Sequence, residues 1–185
     1  ALLALGGSSR APAGTSAPAL PTGAPAPTDR QRMIARQVGT ILEESHFRRA
    51  NIDDRISAEV YEKFLDFMDG QRSYFIAADI AEFEPLRLRF DDMIRTGEIE
   101  PAYVIFARYQ ARNRDRVQHA LVQLAKEPDW TVDESFEFDR SKASWPATEA
   151  QMNEIWRRRV QKDAHRPTPR RQSRGRLLLT TPVPR

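Results

Sequence analysis

The stretch that most constrains this chain is Phe64-Leu65-Asp66-Phe67-Met68-Asp69-Gly70-Gln71-Arg72-Ser73-Tyr74-Phe75-Ile76-Ala77-Ala78-Asp79-Ile80. It joins the end of one helical apolar pattern to the start of another. Its Phe and Tyr residues need an interior, so Phe64, Phe67, Tyr74, Phe75 and Ile80 are expected to pack rather than react. Gly70 sits where the first pattern stops. Only Gly takes a left-handed helix cap without steric cost, so it is expected to end the helix in that way.

The chain before this corner reads as two helices. Thr28 or Asp29 can cap the first, which should run to about His46. Ile34, Val38, Ile41 and Leu42 recur at the three- and four-residue spacing of one helix face. Gly39 weakens this helix slightly. A polar connection over 47–56 leads to the second helix. Ser57 suits its N-cap, with Ile56 and Tyr61 as a hydrophobic staple. Val60, Tyr61, Phe64, Leu65 and Met68 form its buried face.

After the corner, a third helix is expected from Ala77 to Arg95, with Ile80, Phe83, Leu86, Phe90, Met93 and Ile94 inward. Pro85 lacks a backbone donor and should bend or break it near Ala81–Glu84. Thr96-Gly97 ends it. Pro101 suits the first turn of a fourth helix over Ala102–Lys126, with Tyr103, Phe106, Tyr109, Val117, Leu121 and Leu124 as its stripe. Glu127-Pro128-Asp129 stops it. Over 129–145, Trp130, Val132, Phe136 and Phe138 alternate with polar residues, which predicts an extended arm laid across the helices. Thr148 and Gln151 match a capping box that opens a fifth helix containing Met152, Ile155, Trp156 and Val160. The fold class is therefore all-α: an irregular bundle of about five helices with a short extended arm.

The ends differ from this middle. Residues 1–28 are rich in Ala and Pro and read as a disordered leader, or at their apolar start as the remnant of an export signal. Residues 166–185 are rich in Arg and Pro and cannot continue a regular helix. They also carry the basic balance. The net charge is +3, yet without the six arginines from Arg166 onward the rest has 23 basic and 26 acidic residues. A nucleic-acid partner is thus not implied by the charge. No apolar run approaches the roughly 20 residues that span a bilayer. The absence of Cys removes disulfides, thiolate zinc sites and a Cys nucleophile.

Candidate chemistry is sparse. Glu43 and His46 form one Glu-x-x-His pair, where a di-iron bundle needs two. Asp53-Asp54 and Asp91-Asp92 lack the Gly and final Glu of a calcium loop. Arg108, Arg112 and Arg116 recur every four residues and could grip phosphate, although helical arginine stripes are ordinary surface. Ser73, Ser135, Ser141 and Ser144 stand in no nucleophile turn, and neither His119 nor His165 is spaced as their base. No catalytic, metal-binding or cofactor-binding residue is assigned, and no cofactor is expected.

From about Gln31 to Ala164 the chain resembles the N-terminal region of the tail-specific proteases, or C-terminal processing peptidases, of Gram-negative bacteria. Phe64-Leu65-Asp66, Asp69 to Phe75, and Asp79-Ile80 carry the resemblance. So do Ala102-Tyr103, Phe106-Ala107-Arg108-Tyr109, Val132 to Arg140 and Ile155 to Val160. Such proteases are periplasmic, often at the inner membrane. They use a Ser/Lys dyad in a later domain and a PDZ domain that engages the substrate's C-terminus. The resemblance implies a helical module, over 29–165, that helps hold protein substrates and docks an adaptor lipoprotein. No residue here matches the nucleophilic Ser or the Lys base, so this chain alone is expected to be inactive. In the family the helix bearing Trp156 continues. Here a foreign composition begins at His165, which suggests a reading-frame shift near Ala164 and truncation before the PDZ and catalytic domains. The alternative function is a standalone helical interaction module, with a basic nucleic-acid binder as a third.

Overall fold

The structure, a computed structural model, describes residues 18–44, 52–126 and 134–165. Within them the chain forms α1 (Asp29–Glu44), α2 (Asp54–Asp69), α3 (Ala77–Phe83), a 3₁₀ turn (Glu84–Leu86), α4 (Phe90–Thr96), α5 (Glu100–Leu124) and α6 (Glu149–His165). No strand occurs among the described residues. The irregular all-α bundle follows from the apolar periodicities. The sixth helix arises because Pro85 divides the expected third helix outright. The Pro lies in the 3₁₀ turn, and Leu86 of that turn joins Phe83, Phe90 and Met93 of the flanking helices in one core.

Local chemistry sets the boundaries. Thr28 and Gln31 form a capping box ahead of α1: the Gln31 amide donates to Thr28 Oγ1, and the Thr28 amide donates to Gln31 Oε1. α2 is capped by Asp53, whose carboxylate accepts from the Ile56 amide at 3.0 Å. The expected cap, Ser57, is instead wholly buried. Its hydroxyl donates to Arg87 O at 3.0 Å and accepts from the Phe90 amide at 2.8 Å, which ties α2 to the entry of α4. Gly97 closes α4 with φ +77° and a bond from its amide to Met93 O. Gly70 does not do the same for α2. Its φ of −60° is right-handed, and a Cβ there would stand 2.7 Å from Asp66 O. The left-handed residue of the corner is Arg72, at φ 50°.

Two apolar centres hold the bundle. The larger joins Tyr61, Leu65, Phe75, Phe83, Leu86, Phe90, Met93 and Ile105, with Phe64, Tyr109 and Trp145 packed on its edge. Each fully buried side chain of this size contributes about 1.5–3 kcal/mol relative to exposure. The smaller centre joins Ile76, Met152 and Trp156, with Tyr74, Ala120 and Val160 beside it, and docks α6. Edge-on contacts connect the two, since Tyr74 meets both Tyr109 and Trp156.

Several apolar stripes point away from these centres. On α1, Met33, Ile34, Val38, Ile41 and Leu42 are exposed, and the contact with α4 runs through Gly39 instead. A Cβ on Gly39 would lie 2.9 Å from Ile94 Cγ2 and 3.0 Å from Ile94 O, so Gly permits the close crossing. On α5 the buried residues are Val104, Ile105, Ala107 and Arg116; Tyr103, Phe106 and Tyr109 are half-buried, and Val117, Leu121 and Leu124 are exposed. Phe67, expected inside, is 81% exposed. The 134–140 part of the arm is neither helix nor strand, while the expected positions Trp130 and Val132 lie outside the described residues.

Replacing Ser57 by Ala should cost about 1–3 kcal/mol, because it strands the buried Phe90 amide without an acceptor. Urea denaturation measures this, with Ser57→Thr as the hydroxyl-retaining control. A Ser57→Ala chain as stable as the original would show that the hydroxyl does not tie the two helices.

Candidate functional site

The corner between α2 and α3 is organised by two buried carboxylates. Asp69 Oδ1 accepts from the Ser73 amide at 2.7 Å, and Oδ2 accepts from the Tyr74 and Phe75 amides at 2.8 and 2.9 Å. Burial pushes the Asp69 carboxyl up, and the three amides with the Arg72 charge oppose that push. The carbonyl of Ser73 accepts from Trp156 Nε1 at 2.6 Å, so α6 is latched to the same turn. The Ser73 hydroxyl is itself used, donating to Gln71 O. A buried hydroxyl bonded to a turn carbonyl, with no hydrogen bond to an imidazole or amine among the described residues, has the bonding of a structural group.

Asp79 is the second hub. It accepts from the Ile76 amide at 3.0 Å, which caps α3 from within its first turn. Its oxygens also accept from Arg108 Nη1 at 2.6 Å and from Arg112 Nε at 2.8 Å. The arginines that recur on α5 therefore form an internal ladder. Arg108 also reaches Glu82, Arg112 reaches Glu149, and Arg116 reaches Glu149 and Asn153. Arg116 is buried, and that burial lowers its pKa, as does the neighbouring Arg112. The phosphate-gripping role weighed for this stripe conflicts with its geometry, because each guanidinium already faces a carboxylate. Next along α5, the His119 ring meets Asn153 O at 3.1 Å, and burial, then the Arg116 charge, hold its pKa below the usual value.

A groove of about 720 Å³ lies between the arm and α6. Phe136, Trp145, Pro146 and Ile155 supply apolar wall, and Glu137, Arg140, Glu154 and Arg158 supply charge. The arm is fixed at both ends of this groove. Glu134 takes a bidentate contact from Arg157 Nη2 at 2.7 and 2.6 Å. The Arg140 amide donates to Gln71 Oε1 at 2.8 Å, and Arg72 stacks over Trp145 at 4.2 Å. Glu154 is drawn down to about 2 by hydrogen bonds from Arg157 and then Arg158. Around this groove Trp156 is buried, Trp145 and Phe136 are half-buried, and Phe138 is exposed.

Of the remaining candidates, Glu43, Asp53 and Asp91 make structural contacts. Glu43 pairs with Arg95 at 2.9 Å, while its sequence partner His46 lies outside the described residues. Asp53 is a cap, and Asp91 pairs with Arg95. Ser135 and Ser144 line the groove, and Ser141 donates to Asp139. His165 is the last residue of α6. Among the described residues no group of three His, Cys, Asp or Glu side chains could hold a metal ion. No helix among them is long and apolar enough to cross a membrane. The Asp79 and Asp69 hubs were missed from the sequence. The available signal was an Asp beside the aromatic corner, facing an Arg repeated every four residues.

Residues 38–172 match the family described as the tail specific protease N-terminal domain. The chain is also 30% identical over 140 residues to a tail-specific protease of Haemophilus influenzae, across 75% of this chain and 20% of that protein. The chain belongs to the tail-specific protease N-terminal domain family. It spans about a fifth of the length of the curated relative it matches. The family match takes in the corner, the arginine ladder, the arm and α6, and extends to Gln172 within the Arg- and Pro-rich stretch.

The lowered pKa of His119 gives a pH dependence with a definite sign. Below an unfolded value of about 6.5 the unfolded chain binds a proton that the folded chain resists, so stability falls as pH drops through that window. Thermal melts from pH 7.5 to 5.5 should show this loss, and His119→Gln should flatten it. An equal slope in both chains would contradict the assignment.

Proposed function

We propose that this chain works as the accessory N-terminal helical domain of a periplasmic, tail-specific serine protease. In this role it helps to hold protein substrates and to dock an adaptor lipoprotein. Peptide-bond chemistry is supplied by PDZ and Ser/Lys catalytic domains encoded outside these 185 residues. Family membership is the observation that carries the proposal. The side chains add support. The carboxylates and guanidiniums of the corner and the ladder are spent on holding helices, and the Ser73 hydroxyl is bonded within its turn. The exposed apolar stripes on α1 and the end of α5 are surfaces of the kind that dock against further domains. The Arg- and Pro-rich residues 166–185 are proposed to be read in a shifted frame.

A peptidase assay tests the proposal. The 185-residue chain is compared with a version joined in frame to the downstream PDZ and protease domains, using an unstructured reporter protein. The joined version should degrade the reporter, and the chain alone should leave it intact over the same hours. Cleavage by the chain alone would overturn the accessory role, and so would an equally active protease from which residues 29–165 had been deleted.

A further inference from the structure

We infer that the groove between the arm and α6 binds an extended protein segment carrying an apolar side chain and, two residues away, one acidic side chain. The occupant is a segment of substrate, an identity that rests on the accessory role proposed above. Three features of the groove select this chemistry.

The first is Arg140. Its side chain lines the groove, yet its guanidinium has no hydrogen bond or ion pair among the described residues, and its Nε is buried without an acceptor. The neighbouring arginines are all engaged: Arg72 with Asp66, Arg157 with Glu134, and Arg158 with Glu154. An arginine left unpaired beside an apolar wall is suited to a carboxylate brought by a ligand. Glu137 also lines the groove and has no ion-pair partner among the described residues, so a run of acids would be repelled where a single acid is accepted.

The second is the wall itself. Phe136, Trp145 and Ile155 offer aromatic and aliphatic surface close to Arg140 in the same groove. The third is the backbone of the arm. Glu134 to Asp139 is non-helical and makes no backbone–backbone hydrogen bond among the described residues. Its free amides and carbonyls can pair with a segment that runs alongside, as in strand addition. Side chains two apart on such a segment share one face. One therefore meets the apolar wall while the other meets Arg140. A segment that passes through the groove supplies its carboxylate from a side chain rather than from its terminus.

Fluorescence anisotropy with the full 185-residue chain tests this. The probe is the labelled, C-terminally amidated peptide Ser-Ser-Phe-Ser-Glu-Ser-Ser. It should bind saturably. Changing its Glu to Gln, or making Arg140→Gln in the chain, should each weaken binding about tenfold, with no further loss when the two are combined. Arg140→Lys should retain part of the affinity. No binding, or equal binding to the original and Arg140→Gln chains, would overturn the inference. If Arg140→Gln melts below the original chain, the Glu-to-Gln peptide swap on the original chain decides alone. Tighter binding of Ser-Ser-Phe-Ser-Ser with a free carboxyl end would assign the site to chain termini. Binding that appears only after Asp133→Asn would assign it to this chain's own preceding segment, and binding lost as the chain self-associates would assign it to a second copy. Each of these overturns the internal-acid site. The titration needs no proteolysis, so its failure leaves the accessory role standing, and a negative peptidase comparison leaves the titration standing.

Discussion

At the turn between α2 and α3, the carboxylate of Asp69 accepts three successive backbone amides, those of Ser73, Tyr74 and Phe75. Those amides leave one helix and have not yet entered the next, so neither helix can satisfy them. A buried donor left without an acceptor costs about 1–3 kcal/mol, so the three together justify burying a charge that desolvation opposes. With the amides held, the chain reverses within a few residues. Phe75 then enters the larger apolar centre and Ile76 the smaller one. The Ser73 carbonyl on the same turn receives the Trp156 indole, so the placement of α6 also depends on it. The fixed shape of the corner thus comes from this turn.

The arginine ladder gives that shape its register. Apolar packing alone would let α5 slide against α3 and α6, because dispersion contacts are not directional. Arg108 and Arg112 on Asp79, and Arg112 and Arg116 on Glu149, permit one alignment. Buried ion pairs add little net stability after desolvation, while breaking one by removing a partner costs several kcal/mol. Here they select a single docking of helices that the apolar centres then hold. Placing the cations of α5 inward also leaves Val117, Leu121 and Leu124 exposed.

Much of this architecture could be read from the residues, and the exceptions have physical causes. The break at Pro85, the stop at Gly97 and the capping pair of Thr148 and Gln151 follow from backbone chemistry that acts locally, and all three occur. Ser57 was misread because its hydroxyl chose partners 30 and 33 residues away, a tertiary choice with no local signature. Asp53 then took the cap. Gly70 was expected in a left-handed conformation, but the corner turns at Arg72 and needs Gly70 for its lack of a Cβ. The buried face of α5 was misplaced because periodicity counts arginine as outward, whereas paired arginines can be buried. The stripe on α1 was visible, but periodicity records a helix face without recording what covers it. At the candidate site, Trp145, Phe136 and Arg140 were each within recognised segments. Their convergence on one groove depends on how the arm crosses α6, which no spacing encodes.

If both apolar centres depend on the Asp69 turn, that turn is part of the cooperative core. Native-state hydrogen exchange at the Tyr74 and Phe75 amides measures this directly. Those amides bond to a side chain and belong to no helix, so an ordinary loop would expose them readily. If the turn is the support on which both apolar centres depend, the two amides should exchange only with global unfolding, at the same rate as core amides such as Ile105. Exchange through local opening, orders of magnitude faster than at Ile105, would show that the helices hold together without the turn and would contradict the account.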